Sequence, residues 1–123
     1  MEHTMHLNPS SFSKIKEGTK TIELRLYDEK RRQLAVDDTI CFICSGETGE
    51  RLWARVVELY VFDSFKALYT ALPLLSCGYS REELARADAA DMERYYSLEA
   101  QKQYGVIGIC ISLLEEAAPA DEE

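Results

Sequence analysis

Lys20, Glu23 and Arg25 are the residues of this 123-residue chain whose types and spacing could do chemistry. Apolar and polar residues alternate over residues 21–27, which predicts a strand that places Glu23 and Arg25 on one polar face, roughly 7 Å apart. A guanidinium matches a phosphate or stacks on a base, and a carboxylate accepts hydrogen bonds from an amino group of a base. The pair suits one nucleotide, although the same spacing fits two side chains that pair with each other. Because Arg25 projects from the polar face rather than from the core, its replacement should have only a small effect on stability.

Lys20 lies where this strand begins. If it is buried, it can act as a base or a nucleophile, and if it is exposed, it is only a cation near a ligand phosphate. Tyr27, Tyr96 and Tyr104 can stack on a base, and Ser45 with the glycine after it can present backbone N–H groups to an anion. Core packing of the tyrosines and a plain hairpin turn at Ser45 are the alternatives.

The elements that must position these residues follow from capping signals and periodicity. Strands are predicted over residues 5–7, 19–26, 39–44, 51–62 and 106–114, the last of which is the most apolar and should be central. Helices are predicted after Asn8, Ser64, Ser80 and Ser97, each of which can cap a helix. Gly18 can end the first helix, and Met92, Tyr95 and Tyr96 are predicted to face inward. This order predicts an α+β fold with one small β-barrel and short helices inserted before the last strand.

The segment from Gly18 to Arg25 reads Gly-x-Lys-x-x-Glu-x-Arg and resembles the signature of the ASCH domain, a PUA-like β-barrel. The similarity continues through the turn 37–38 and the final segment 104–109. The resemblance implies a PUA-like domain over residues 1–114. It also implies binding of RNA or of a nucleotide-like ligand in a cleft lined by Lys20, Glu23 and Arg25.

The resemblance leaves two alternative functions open. One bacterial branch of the family hydrolyses acetylcytidine with a lysine, a threonine and a glutamate, within a motif Gly-x-Lys-Thr-x-Thr-x-Arg. Lys20 matches its lysine, but Glu23 replaces its threonine, and Glu82 and Glu83 are only near the position of its glutamate. Lys20 and Glu23 are thus the candidate catalytic residues of a small hydrolase. The other alternative is a protein-interaction module in transcription regulation, which an exposed apolar patch would mark.

The distribution of charge along the chain limits the class of partner that it can bind. The net charge is −8, but five acidic residues lie within 115–123, a segment predicted to be a disordered acidic tail. Residues 14–32 hold seven basic and four acidic residues. A local basic stripe suits a small anion or a short single strand and does not suit a protein that coats duplex DNA.

Cysteine usage and hydropathy indicate the compartment. The four cysteines, Cys41 and Cys44 among them, are predicted to be reduced and packed, and the strand 39–44 would put that pair on opposite faces. We therefore expect no metal and no cofactor. Without a signal peptide or an apolar run of about 20 residues, the chain is expected to be cytoplasmic and away from membranes.

Overall fold

The structure, a computed structural model, describes residues 1–114, so the predicted acidic tail at 115–123 lies outside the described residues. The strands are β1 (Glu2–Leu7), β2 (Ile22–Leu26), β3 (Thr39–Cys44), β4 (Arg51–Phe62) and β5 (Val106–Leu113). The α-helices are α1 (Pro9–Glu17), α2 (Phe65–Ala71), α3 (Arg81–Leu84) and α4 (Leu98–Tyr104). Short 3₁₀ helices cover Arg31–Gln33 and Ala89–Arg94.

The five strands form one mixed sheet in the order β1-β3-β4-β5-β2. β1 runs parallel to β3, and the other neighbours are antiparallel. β4 pairs with β3 over residues 51–55 and with β5 over residues 54–62, with a register shift between Val56 and Glu58. The sheet curls into a half-barrel whose edges are β1 and β2. The α+β class is confirmed, and so are the helices inserted before the last strand.

The first helix forms as its caps predict. Asn8 Oδ1 accepts from Ser11 N at 2.8 Å, and Gly18 ends α1 with a φ of 86°. A left-handed backbone at the end of a helix is accessible to glycine at low cost. Phe12 and Ile15 bury one side of α1 against the sheet, which leaves the other side of the helix for polar residues.

The apolar residues form two clusters. The first contains residues of α1, β1, β3 and β4, and the second joins β2 to α2 and the loops that follow it. Ser64, Ser80 and Ser97 cap α2, α3 and α4 as predicted, and Ser80 forms a capping box with Glu83. The prediction for Tyr95 is wrong: its side chain is 58% exposed. Tyr96, which is also predicted to face inward, packs against the second cluster.

The motif strand is shorter than predicted because its first residues bond elsewhere. Thr21 N and Ile22 N both donate to Ser76 O, at 2.9 and 3.0 Å, and Lys20 N donates to Lys14 O at 3.1 Å. Residues 19–21 therefore form a turn that is held by α1 and by the loop after α2. That turn fixes the backbone of Lys20.

The structure describes the state of the cysteines and the lengths of the helices. Cys41, Cys44 and Cys77 are buried and Cys110 is partly buried, all as free thiols. Residues 1–114 contain no group of three or more His, Cys, Asp or Glu side chains that could hold a metal ion. Over the same residues, no helix has the length and apolar character to span a bilayer.

Candidate functional site

The turn after α1 and the strand β2 bring three charged side chains to one edge of the sheet. Lys20 lies in the turn, and Glu23 and Arg25 follow at alternate positions of β2, so they leave the same face. His6 and Leu7, on the other edge strand, β1, line the same cleft as these residues. The opening of the half-barrel is therefore the place where Lys20, Glu23 and Arg25 meet.

Lys20, Glu23 and Arg25 form a buried ion triad with Glu23 at its centre. Lys20 Nζ lies 2.8 Å from Glu23 Oε1, and Arg25 Nε lies 2.6 Å from Glu23 Oε2. The three side chains are only 10%, 5% and 13% exposed. Burial raises the pKa of Glu23, but the charges of Lys20 and Arg25 outweigh this effect and hold the pKa below its ordinary value. Glu23 is thus ionised at neutral pH, and the triad carries one net positive charge.

The geometry changes the role expected for Glu23. Its Oε2 accepts from Arg25, and its Oε1, which lies 2.8 Å from Lys20 Nζ, is shielded from solvent. A base in the cleft therefore cannot reach that oxygen. Glu23 is better suited to hold the two cations in position than to read the amino edge of a base.

Arg25 also joins the two edges of the half-barrel. Its Nη2 donates to His6 O at 2.7 Å, across the gap between β2 and β1. The Arg25 side chain is largely buried and has two protein partners, so the alternative of an ordinary solvated face does not describe it. A guanidinium has five N–H donors, so donors remain for a ligand in the cleft that Arg25 lines.

Lys20 is held in place from two sides. Its Nζ lies 3.4 Å from Ser11 Oγ on α1. Its aliphatic stem packs against Gly78, where a Cβ atom would lie 3.3 Å from Lys20 Cδ, and Gly78 has a φ of +109°. Lys14 Nζ donates to Gly78 O at 2.8 Å and so ties this loop to α1. The ammonium group of Lys20 thus has a defined position at the base of the cleft.

The triad forms the floor of a cleft of about 510 Å³, a size typical of small-molecule sites. One wall is the polar side of α1, and the other belongs to the segment between β4 and β5. The α1 wall contains Asn8, Ser11 and Lys14. The second wall contains Tyr69, Cys77, Gly78, Tyr79, Glu83, Asp91, Met92, Arg94, Tyr95 and Tyr96.

A chain of hydroxyl groups stabilises the second wall. Tyr79 Oη lies 2.7 Å from Tyr69 Oη and donates to Asp91 Oδ2 at 2.7 Å. Burial raises the pKa of both tyrosines, so they stay neutral at physiological pH. Tyr96 packs its ring on Phe65 with centroids 5.8 Å apart and planes at 21°. The wall is an anchored aromatic surface.

Cys77 lies in the same wall and is not a reactive thiol. Burial raises its pKa to about 11, with Lys20 acting in the opposite direction and Glu23 in the same direction. A thiol with so high a pKa is protonated at neutral pH, and only the thiolate is nucleophilic. Cys77 therefore contributes packing and not covalent chemistry.

The structure separates most of the remaining predicted residues from the cleft. Tyr27 and Tyr104 line a second cavity, and Ser45 lies exposed in the turn between β3 and β4. Glu83 lines the cleft, but its carboxylate also accepts from Ser80 N at 2.8 Å in the capping box. Glu82 lines neither cavity.

Sequence reasoning did not select most of the wall residues, and only the α1 wall had a signal in the local sequence. Asn8, Ser11 and Lys14 recur at a spacing of three residues, in a stripe beside the buried Phe12 and Ile15, so the amphipathic pattern of α1 could have indicated a polar wall. Tyr69, Tyr79 and Asp91 have no such pattern, because tertiary packing alone brings them together.

The triad predicts a specific loss of stability in acid. A carboxylate whose folded pKa is lowered contributes stability that is present above its unfolded pKa, here about 4.5, and is lost as the pH falls through the lower folded value. We expect the difference in Tm between wild type and Glu23→Gln to be constant from pH 7 to 5 and to shrink below about pH 4.5. Thermal unfolding followed by circular dichroism at pH 3 to 7 measures it, and a difference independent of pH would contradict an ionised Glu23.

A family model and two solved structures are similar to this chain over nearly its whole length. The family model described as the ASCH domain matches residues 5–115. The crystal structure of the hypothetical protein PH0355 is similar at 34% identity with a TM-score of 0.76, covering 93% of this chain and 100% of that chain. The solution NMR structure of protein PF0455 from Pyrococcus furiosus is similar at 37% identity with a TM-score of 0.67, covering 94% of this chain and 99% of that one. No curated protein matches the sequence.

Proposed function

The chain belongs to the ASCH domain family, whose PUA-like fold is generally associated with RNA binding, and from this premise we propose that it binds a nucleotide unit in the cleft above the buried ion triad. The ligand is RNA or a nucleotide-like molecule. One observation carries the proposal: a single buried glutamate fixes two cations, Lys20 and Arg25, at the floor of a cleft whose wall is aromatic.

The charges of the cleft support an electron-rich ligand. The triad has one net positive charge, and both cations have N–H donors beyond those that their protein partners use. Phosphate oxygens and the carbonyl oxygens of bases are acceptors that match these donors. Because Lys20 and Arg25 are held in place before the ligand arrives, little side-chain entropy is lost on binding.

The second wall offers a surface on which the base of the nucleotide can stack. Phe65 packs against one face of the Tyr96 ring, and Tyr95 lies next to it with centroids 6.5 Å apart. Aromatic side chains at the rim of a polar cleft are the usual platform on which an unpaired base stacks. A polar cleft of this kind favours a nucleotide over a protein partner, which would use an apolar patch.

Replacing Lys20 tests the proposal. We expect Lys20→Met to weaken the binding of a mononucleotide about tenfold or more, because it removes a charge-assisted hydrogen bond and keeps the stem that packs on Gly78. Titration calorimetry with the four ribonucleoside monophosphates measures it. Lys66→Ala is the matched control, since Lys66 is an exposed lysine on α2 that lines neither cavity. Equal affinities for wild type and Lys20→Met would place the ligand elsewhere.

One contact favours a second candidate function, hydrolysis of a modified nucleoside. Ser11 Oγ and the ammonium group of Lys20 lie 3.4 Å apart inside the cleft, so a hydroxyl and a lysine meet where a substrate would bind. The ion pair with Glu23 weighs against this candidate, because a lysine that serves as a base must be neutral. Glu23, held ionised by its partners, is also poorly suited to donate a proton.

Acetylcytidine separates the two functions. If the chain only binds, we expect wild type to leave acetylcytidine unchanged over hours, whereas a hydrolase would release acetate. Chromatography of the nucleoside after incubation measures it. The decisive outcome is that wild type hydrolyses acetylcytidine and Lys20→Met does not, while circular dichroism shows that the variant is folded. Hydrolysis would then replace binding as the function.

A further inference from the structure

A second cavity, of about 540 Å³, lies at the end of β2 that is farther from Lys20. Tyr27, Arg32, Lys102 and Tyr104 are among the residues that line it. Arg32 Cζ lies 4.3 Å from the centroid of the Tyr27 ring, and Arg32 Nη2 donates to Tyr104 O at 3.0 Å. Arg32 and Lys102 are both exposed. The cavity thus has an aromatic ring covered by a guanidinium plane, with two cations open to solvent.

This cavity continues the line of the cleft along β2. Tyr27 follows Arg25 by two residues, and Tyr27 N donates to Gly105 O at 3.0 Å, which continues the pairing of β2 with β5 by one bond. Alternation therefore places Arg25 and Tyr27 on one face, roughly 7 Å apart. Arg25, which lines the cleft, and Tyr27, which lines the second cavity, thus connect the two along β2.

We infer that the second cavity binds the neighbouring nucleotide of a single-stranded RNA. The inference rests on the proposed function, and it makes an oligonucleotide the ligand in place of a free nucleotide. A spacing of roughly 7 Å is about twice the 3.4 Å rise of stacked bases along one strand, so it fits two nucleotides whose bases are splayed apart. Splayed bases are the form in which single-stranded RNA is read.

The charged and aromatic side chains of the second cavity each have a role in binding the second nucleotide. The Arg32 guanidinium, with Tyr27 beneath it, offers a flat cationic surface on which the second base stacks. Lys102, at the exposed rim, faces the RNA backbone as a phosphate contact. The cavity has one acidic lining residue, Asp63, against these two cations, so its charge also favours an anionic strand.

The dependence of affinity on ligand length tests the inference. We expect wild type to bind the dinucleotide of uridine about 5- to 150-fold more tightly than uridine 5′-monophosphate, the effect typical of stacking one more base. Arg32→Ala and Tyr27→Leu should remove most of this gain and leave the affinity for the monophosphate unchanged. Tyr27→Leu keeps an apolar side chain against the core. Arg51→Ala, an exposed arginine on β4 that lines neither cavity, is the control.

The outcomes separate this inference from the proposed function. If the monophosphate binds and the dinucleotide gains nothing, the second cavity is not a subsite, and the Arg32–Tyr27 pair is only structural. A gain that persists in both Arg32→Ala and Tyr27→Leu would also overturn the inference. If neither ligand binds at all, the proposed function fails as well.

Discussion

Glu23→Ala is expected to lower the free energy of unfolding by about 3–5 kcal/mol, the usual cost of removing one member of a buried ion pair. Glu23 is 4% exposed and neutralises two cations that are themselves largely buried. Without it, Lys20 and Arg25 repel each other in a site shielded from water, and the space that the carboxylate filled stays empty. No other single charge in the cleft has two buried partners of opposite sign among residues 1–114.

Urea unfolding at pH 7 measures this effect. Glu50→Ala is the matched control, because Glu50 pairs with Lys16 on the surface, where an ion pair contributes about 0–1 kcal/mol. Glu23→Gln should also destabilise the protein, since the amide keeps the shape of the side chain but leaves both cations without a counter-ion. Equal stabilities of the Glu23 and Glu50 variants would show that solvent reaches the triad.

Glu23→Gln also has a consequence for binding. A residue that reads the edge of a base would change which base is preferred when its acceptor becomes a donor. Because Glu23 Oε1 is shielded from solvent, we expect the affinity for all four ribonucleoside monophosphates to fall together, without a change in their order. A changed order of preference among the four nucleotides would show that Glu23 contacts the edge of the base.

Arg25→Ala is expected to weaken nucleotide binding by about 1–3 kcal/mol, which is about 5- to 150-fold in Kd. The guanidinium provides planar donors for a phosphate or a carbonyl oxygen, and its position is fixed by Glu23 and by His6 O. Arg25→Lys keeps the positive charge but loses the planar set of donors, so its affinity for nucleotides should lie between those of wild type and Arg25→Ala. Titration calorimetry measures all three, with Arg51→Ala as the control.

Arg25→Ala should also reduce stability, but by less than Glu23→Ala. The variant leaves Glu23 with Lys20 as a partner, so no buried charge is wholly uncompensated, while the link from β2 to His6 O is lost. Urea unfolding separates this effect from binding. Unchanged binding of every nucleotide by a folded Arg25→Ala protein would show that the ligand site lies outside the cleft.

The sequence alone determined most of the elements. Asn8, Ser64, Ser80 and Ser97 cap the helices that their residue types predicted, and the strands 39–44 and 51–62 have the predicted bounds. These features depend on hydrogen bonds between near neighbours and on the periods of helix and strand, which are properties of short segments. The Gly-x-Lys-x-x-Glu-x-Arg motif similarly identified the family and the three residues that meet in the triad.

Only the tertiary structure decided how those residues are used. The alternation of β2 placed Glu23 and Arg25 on a polar face, but in the folded chain Lys20 pairs with Glu23, His6 O accepts from Arg25, and both side chains are largely buried. The aromatic wall lies some 50 to 75 residues farther along the chain, and no local period relates it to Lys20. Tyr27 continues the alternation of the motif, yet it belongs to a second cavity. Burial and the meeting of distant residues result from how elements pack around one core, and this depends on the whole chain rather than on any segment.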